Sequence, residues 1–221
     1  METLAAWIRA TDAVGQTVAA LLLMMSVAAW VLIVWKVWVL RRVRANLGPA
    51  IAAFWTAQDV SAGAVRLQQL DREGLTYALV RAVLPMPVDH TLEAHTSVQA
   101  RLTRRLRDAL QSGASVLHFG QVVLASIGST APFVGLLGTV WGIYHALIEI
   151  GTATAFTLER VAAPVGEALM MTAAGLAVAI PAVLAYNLFG KWAGACEAQL
   201  EGFAHDLREM AVQSPAVTDA P

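Results

Sequence analysis

The stretch Val161–Gly190, VAAPVGEALMMTAAGLAVAIPAVLAYNLFG, contains thirty residues and a single charged side chain, Glu167. A helix needs roughly 20 predominantly apolar residues to cross the hydrocarbon core of a bilayer. The stretch therefore predicts a transmembrane helix that is longer than a membrane requires. A carboxylate inside such a helix is costly, so it normally faces a cavity or a partner and marks an ion path or a proton relay.

Two further stretches have the same apolar character. Val18–Trp35 carries no charge and extends past Lys36 to about Leu40, and Ala109–Ile148 contains no Asp, Glu, Lys or Arg. Both are long enough to cross a bilayer. The sequence thus predicts an all-α integral membrane protein with three transmembrane helices, and the second and third are expected to continue as long helices into the cytoplasm.

The composition excludes several classes of function. Of the 221 residues, 57% are hydrophobic and 14% are charged, whereas a soluble domain carries about 25% charged residues. The net charge is -1 and no basic stripe with interleaved aromatics occurs, so we expect no nucleic-acid partner. Cys196 is the one cysteine, which leaves neither an intramolecular disulfide nor a zinc cluster. No nucleotide-binding loop, HExxH motif or dinucleotide fingerprint occurs, so we expect no enzyme, no metal and no cofactor.

The distribution of basic residues predicts the orientation in the membrane. Residues 41–108 contain ten Lys and Arg residues, whereas the segment before the first span holds Arg9 and the hairpin between the other two spans holds Arg160. Because basic residues favour the cytoplasmic side, we expect the long loop and the C-terminus in the cytoplasm and the N-terminus in the periplasm. The basic residues expected to anchor the cytoplasmic side are Arg41, Arg42, Arg44, Arg101, Arg104 and Arg105.

These signals divide the chain into seven segments. They are a periplasmic N-terminal segment (1–17), the first transmembrane helix (18–40), a cytoplasmic helical loop (41–115), the second transmembrane helix (116–150), a periplasmic hairpin (151–160), the third transmembrane helix (161–190) and a cytoplasmic C-terminal helix and tail (191–221).

The cytoplasmic segments have a helical pattern of their own. Residues 50–84 are rich in Ala, Leu, Gln and Arg, and we expect the helices there to be broken at Gly63 and Gly74. Another helix is predicted to start near Asp89 or Thr91 and to run into the second span. After the third span, helically spaced apolar residues predict an amphipathic helix that buries Leu200, Phe203, Leu207 and Met210.

Small residues and prolines mark the expected helix contacts in the membrane. In lipid, small residues let two helix backbones approach closely, because apolar burial alone does not drive helices together. The glycines of the second span predict such a contact, either within one chain or between chains. They are Gly128, Gly135, Gly138 and Gly142, and the prolines expected to kink the second and third spans at similar depth are Pro132 and Pro181.

The hairpin predicts which residues of the second and third spans lie level. If the chain turns near Ala155, residues whose numbers add to about 311 share a depth, which pairs Thr139 with Thr172 about 16 Å from the outer boundary. In an oligomer such a pair could form a polar ring, although threonine hydroxyls also bond to carbonyls of their own helix. Thr172 lies about 140° around the helix from Glu167, so the two need not face one space. Glu167 itself could be a structural carboxyl bonded to Tyr144 or to a neighbouring subunit.

Two motifs carry a resemblance to a known family. Ser129–Leu147, STAPFVGLLGTVWGIYHAL, and Val161–Asn187, VAAPVGEALMMTAAGLAVAIPAVLAYN, resemble the signature sequences of the ExbB/TolQ family of proton channels, with the family's spacing between them. The STAPF opening is more similar to ExbB than to TolQ. The run Met170-Met171-Thr172 departs slightly from the LLATA wording common in the family.

The resemblance implies an assembly and a function. Members form a homo-pentamer whose second and third spans line a central pore, and an ExbD-like single-span subunit lies inside that pore. Together they use the proton-motive force of the inner membrane to energise a TonB-like protein, for outer-membrane uptake of iron-siderophores and vitamin B12. The family's pore glutamate and threonines correspond to Glu167, Thr139 and Thr172, and the aspartate that carries the proton belongs to the partner. A TolQ-like subunit of the Tol-Pal envelope-constriction system and a passive membrane scaffold are the alternatives.

Overall fold

A computed structural model describes residues 13–84, 96–152 and 158–213 of the chain. The regular structure of these residues is α-helical throughout. The helices are α1 (Ala13–Trp55), α2 (Val60–Leu70), α3 (Leu75–Val83), α4 (Val98–His118), α5 (Gln121–Thr152) and α6 (Leu158–Gln213).

Three of the described segments are long and apolar enough to cross a membrane. They are Ala13–Trp55, Val98–Ile148 and Pro164–Gln213. The second of these comprises α4 and most of α5. Each is about twice as long as the roughly 20 residues that a bilayer requires. The predicted α-helical class and the three membrane-spanning segments are confirmed by length and composition.

The chain divides into two compact units. The first unit is formed by Met1–Lys36 and Gly120–Leu188, and the second by Val37–Phe119 and Phe189–Pro221. Helices α1 and α6 each contribute residues to both units. In the first unit large apolar side chains, such as Leu23 of α1, are exposed on the surface of the chain. An exposed apolar surface of this extent is typical of a protein that faces lipid or other subunits.

The short helices of the second unit are fixed by side-chain caps. The Asp59 carboxylate accepts a hydrogen bond from the Ala62 backbone N–H and begins α2. Asp71 follows α2, and its carboxylate accepts hydrogen bonds from the Thr76 N–H, the Thr76 hydroxyl and the Tyr77 N–H. These bonds satisfy donors that a helix start leaves unpaired, so one aspartate fixes the start of α3. Helix α3 in turn packs against both α2 and α4.

The core of the second unit consists of large apolar side chains. Phe203 of α6 packs edge-to-face on Phe54, at 5.4 Å between ring centroids, and on Trp55, at 6.1 Å. Leu200, Phe203 and Leu207 are buried, which confirms the amphipathic stripe predicted after the third span. Met210 is half-buried.

Two predicted helix boundaries are wrong. Gly63 lies inside α2, where the ring of Phe54 leaves no room for a side chain; a Cβ at Gly63 would lie 2.6 Å from Phe54 Cδ2. The glycine thus marks a close contact rather than a helix break. The predicted continuous helix into the second span is interrupted at Phe119 and Gly120, where Gly120 has φ of 78°. Glycine adopts this left-handed conformation without strain. The predicted break at Gly74, with φ of 72°, is confirmed.

Three other sequence predictions lie outside the described residues. These are the helix start near Asp89 or Thr91, the turn near Ala155 and the tail that follows Gln213. Helix α4 begins at Val98, after the Ser97 side chain accepts a hydrogen bond from the Ala100 N–H. The seven-segment division of the chain stays a prediction.

Candidate functional site

In the first unit the backbones of α5 and α6 approach each other closely. A Cβ at Gly135 would lie 2.6 Å from the carbonyl oxygen of Met171 and 3.2 Å from Gly175 Cα. A Cβ at Gly175 would lie 2.6 Å from the carbonyl oxygen of Ala131. No larger residue fits at either position without moving a backbone. The two helices therefore come close where both have a glycine, which has no side chain to hold the backbones apart.

The other predicted glycines extend the same contact along α5. A Cβ at Gly142 would lie 2.8 Å from Ala168 Cβ, and one at Gly128 would lie 2.5 Å from Val183 Cγ2. A Cβ at Gly138 would lie 2.9 Å from Met171 Cβ and 3.0 Å from Val18 Cγ1 of α1. All four glycines therefore make their close contacts within one chain. The prolines Pro132 and Pro181 lie half-buried inside α5 and α6.

The predicted register of the hairpin is confirmed by these contacts. Four of the contacting pairs have residue numbers that add to 310 or 311, close to the value of about 311 expected from a turn near Ala155. The pairs are Gly142 with Ala168, Thr139 with Thr172, Gly135 with Gly175, and Gly128 with Val183.

The two threonines meet within this glycine contact. Thr139 Oγ1 lies 3.2 Å from Thr172 Oγ1 and 2.6 Å from the carbonyl oxygen of Leu136. A hydroxyl donates one hydrogen bond. If Thr139 donates to its own helix, Thr172 donates to Thr139, and the pair forms a directed chain across the two helices. Thr139 is 5% exposed and Thr172 is half-buried. Thr139 therefore makes both of the expected bonds, one to its own helix and one to Thr172 of the other helix.

Glu167 lies on a different face of α6 from the threonine pair. It is exposed and lines an open groove of about 680 Å³ between α1 and α6. The other lining residues are apolar apart from one serine, and they are Ala19, Leu22, Leu23, Ser26, Met170, Met171, Ala174, Ala177 and Val178. The structure thus brings Thr139 and Thr172 together and leaves Glu167 apart from them, as the angle of about 140° between Glu167 and Thr172 allows.

The predicted basic anchors of the first long helix contact aromatic rings. In the second unit the Arg42 guanidinium stacks 3.6 Å from the Trp38 centroid, and Arg44 lies 5.2 Å from that of Trp192. Arg42 also pairs with Glu73 at 3.7 Å. Such stacking on tryptophan is favourable for a guanidinium. Arg41 is exposed beside them, and the other predicted anchors, Arg101, Arg104 and Arg105, lie on α4.

Two ionisable side chains, Lys36 and Cys196, are buried. Lys36 of α1 is 2% exposed, and its ammonium lies 5.6 Å from the centroid of the Trp35 ring. In the second unit, burial raises the pKa of the Cys196 thiol, while Arg44 opposes the shift and Glu197 adds to it. Cys196 is 2% exposed.

Sequence reasoning missed two parts of the site. One is Gly175, whose partner Gly135 was identified; the hairpin register alone assigns position 175 to the same depth. The other is the wall of the Glu167 groove that α1 supplies. Helices α2, α3 and α4 lie between α1 and α5 in the sequence. The register of the hairpin therefore does not predict where α1 lies.

The chain is similar in sequence to known proteins over most of its length. Residues 74–202, more than half of the chain, match the model of the MotA/TolQ/ExbB proton channel family. The chain belongs to this family. The match includes all of α5 and most of α6, and so covers the glycine contact, the threonine pair and Glu167.

Individual relatives cover most of the chain. The biopolymer transport protein ExbB of Xanthomonas campestris pv. campestris (strain B100) is 37% identical over 206 residues, 89% of this chain and 81% of that protein. ExbB of Neisseria meningitidis serogroup A is 37% identical over 195 residues, 85% of this chain and 87% of that protein. The Tol-Pal system protein TolQ of Pseudomonas aeruginosa is 33% identical over 187 residues, 80% of this chain and 78% of that protein.

The family membership fixes the broad class of function. The resemblance to ExbB and TolQ is confirmed, and the MotA/TolQ/ExbB family is a proton channel family rather than an enzyme family. Together with three helices able to cross a bilayer, it indicates a protein of the inner membrane.

Proposed function

We propose that this chain is an ExbB-type proton-channel and motor subunit. It uses proton-motive force with an ExbD-like single-span partner to energise a TonB-like protein, which drives outer-membrane uptake of iron-siderophores and vitamin B12. The ExbB-named relatives, matched over more than four fifths of the chain, support this assignment.

The proposed assembly is a homo-pentamer whose α5 and α6 line a central pore. Its support is the large apolar surface that both helices leave exposed in one chain, because such a surface needs lipid or another subunit to cover it. In the proposed orientation the N-terminus is periplasmic and the C-terminus is cytoplasmic. The excess of basic residues in 41–108 supports it through the positive-inside rule.

The threonine pair is the observation that carries the proposed mechanism. Thr139 and Thr172 place two linked hydroxyls about 16 Å inside the predicted outer boundary, within an otherwise apolar contact. Repeated around a pentamer, the pair forms a polar ring close to the middle of the membrane. A proton that enters from the periplasm neutralises the partner's carboxylate at this ring. Neutralisation removes a desolvation cost of about several kcal/mol and releases the partner helix to move relative to the pentamer.

Growth under iron limitation tests this role. A strain that lacks the protein is complemented with wild type, with Thr139→Ala plus Thr172→Ala, or with Thr130→Ala. Thr130 is the matched control, because its hydroxyl donates to the Ser126 carbonyl of its own helix at 2.7 Å. We expect the double variant to assemble on blue-native gels and to fail to support growth, whereas Thr130→Ala grows normally. If the double variant assembles and grows normally, the polar ring has no role in the mechanism.

A TolQ-like function is the second candidate, because the Tol-Pal system protein TolQ of Pseudomonas aeruginosa also matches most of the chain. A TolQ-type chain restores detergent resistance to a tolQ-deficient strain, and an ExbB-type chain restores iron uptake to an exbB-deficient one. A passive scaffold is distinguished by Glu167→Gln. If Glu167 serves an ion path, this variant assembles and is inactive, whereas a scaffold keeps full activity.

A further inference from the structure

Helix α5 carries an apolar ridge on the side that points away from α6. Phe133, Leu137, Val140 and Tyr144 recur at i, i+4, i+7 and i+11, so they form one stripe along the helix. Each is between 54% and 70% exposed. The stripe lies opposite Gly135 and the other contact glycines, which face α6.

The groove between α1 and α6 is an apolar channel with one carboxylate. Glu167 lies at one end and Val178 at the other, eleven residues or about 16 Å along a helix. The lining between them includes Met171 and the small residue Ala174. The four ridge residues span the same length, from position 133 to position 144.

The hairpin register places the ridge and the groove at the same depths. Numbers that add to about 311 lie level, as the contacts between α5 and α6 show. The level pairs are Tyr144 with Glu167, Val140 with Met171, Leu137 with Ala174, and Phe133 with Val178. A rotation axis parallel to the membrane normal leaves every depth unchanged. In a ring of identical chains, the ridge of one copy is therefore level with the groove of the next copy.

We infer that the groove is occupied by the α5 ridge of a second copy, and that Tyr144 of that copy donates a hydrogen bond to the Glu167 carboxylate. The inference rests on the proposed ring assembly and adds to it the pair of surfaces that meet. The contact joins two different surfaces, and such a contact forms a closed ring when its rotation closes. Glu167 then marks a site that one chain leaves incomplete.

The polar groups and the side-chain sizes support this occupant. Within residues 13–84, 96–152 and 158–213, neither the Tyr144 hydroxyl nor the Glu167 carboxylate has a hydrogen-bond partner, although the Tyr144 ring contacts Trp141 and His145. A phenol donates and a carboxylate accepts, and either group left unpaired in lipid is costly. The large Leu137 lies level with the small Ala174. A lipid chain would fill the groove without pairing the carboxylate.

Disulfide trapping between differently tagged copies tests the contact directly. In a Cys196→Ala background, one copy carries Leu137→Cys and the other carries Ala174→Cys, so the link forms only between chains. The membranes are oxidised with copper phenanthroline, since a disulfide needs Cα atoms about 4.4 to 6.8 Å apart. The matched control combines Leu137→Cys with Leu184→Cys, an exposed position of α6 ten residues further along.

The expected result is a linked dimer with both tags, at least tenfold more abundant for the pair at 137 and 174 than for the control. An intact ring on blue-native gels with no link at this pair, or with equal links at both pairs, overturns the inference and leaves the proposed function standing. Failure to form any ring overturns both.

A double-mutant cycle tests the hydrogen bond. Hydrogen bonds between membrane helices change stability by about three- to eighteen-fold in an equilibrium constant. We expect Tyr144→Phe to shorten the lifetime of the ring in detergent by a factor in this range, and Glu167→Ala combined with Tyr144→Phe to match Glu167→Ala alone. Multiplicative effects of the two changes would show that the groups do not meet.

Discussion

The two units of this chain differ in the residues that bring their helices together. In the first unit the buried contacts are made by Gly135, Gly175 and small neighbours such as Ala131, while large side chains such as Leu23 and Phe133 lie on the surface. In the second unit many large side chains are buried. They include Leu40, Leu67, Phe189, Phe203 and Leu207.

The difference is the one expected for the proposed positions of the units, the first in the membrane and the second in the cytoplasm. In water, burial of apolar area stabilises a fold by about 25 cal/mol per Å², so large apolar side chains belong inside. In lipid, leaving the solvent gains little for an apolar side chain, and helices associate by close backbone packing and hydrogen bonds. Gly135 and Phe203 thus both bring helices together, Gly135 by allowing close backbone packing and Phe203 by burying apolar area.

The largest expected effect is loss of Phe203 in the second unit. Phe203→Ala removes the contacts with Phe54 and Trp55, and such a truncation costs about 3 to 5 kcal/mol. Hydrogen–deuterium exchange of the purified protein in detergent should show faster exchange in the amides of the second unit. Val31→Ala, at an exposed position of the first unit outside the Glu167 groove, is the control and should leave exchange unchanged. Equal effects of the two variants would contradict the comparison.

The next effect is overpacking of the first unit at Gly135. Gly135→Ala introduces a Cβ that would lie 2.6 Å from the Met171 carbonyl oxygen, so α5 and α6 must separate. Overpacking of this kind costs about 1 to 3 kcal/mol. The thermal midpoint in detergent should fall, whereas Gly151→Ala, where no atom lies within 4 Å of the new Cβ, should not lower it. A Gly135→Ala protein as stable as wild type would mean that the backbones are not in contact.

The sequence predicts the membrane part of the fold well because its signals are simple and linear. A charge-free run such as Ala109–Ile148 has few solutions other than a spanning helix. Two antiparallel helices joined by a short hairpin have one register, fixed by the turn. That register places Thr139 level with Thr172, and pairs on both sides of the threonines, Gly135 with Gly175 and Gly142 with Ala168, follow it.

The sequence fails where a residue's role depends on a partner that no register supplies. Gly63 was expected to break a helix, yet it lies inside α2, where Phe54 packs against it. The break at Gly120 depends on a φ of 78° that composition does not specify. The groove beside Glu167 depends on the position of α1, which a long loop separates from α5. The sequence identifies Glu167 but does not predict the residues around it.

A smaller effect is expected at Asp71, whose carboxylate accepts three hydrogen bonds from Thr76 and Tyr77. Asp71→Ala leaves the first N–H groups of α3 without this acceptor. Loss of a cap costs about 1 to 2 kcal/mol, and we expect faster amide exchange confined to α3 and its neighbours in the second unit. Asp71→Asn keeps one acceptor oxygen and should lose less. If the two variants behave alike, the charge rather than the hydrogen bonds fixes this helix start.

The smallest effect has the opposite sign and compares two glycines that both lie inside a helix. Gly202 lies exposed in α6, and a Cβ at this position would have no atom within 4 Å. A Cβ at Gly135 would lie 2.6 Å from the Met171 carbonyl oxygen. Alanine loses less conformational freedom than glycine on entering a helix, so Gly202→Ala should stabilise the second unit by about 0.5 to 1 kcal/mol. Slower amide exchange around residue 202 would agree with this value. A destabilised Gly202→Ala protein would show that another chain packs closely on this face, and that the size rule of the first unit also applies there.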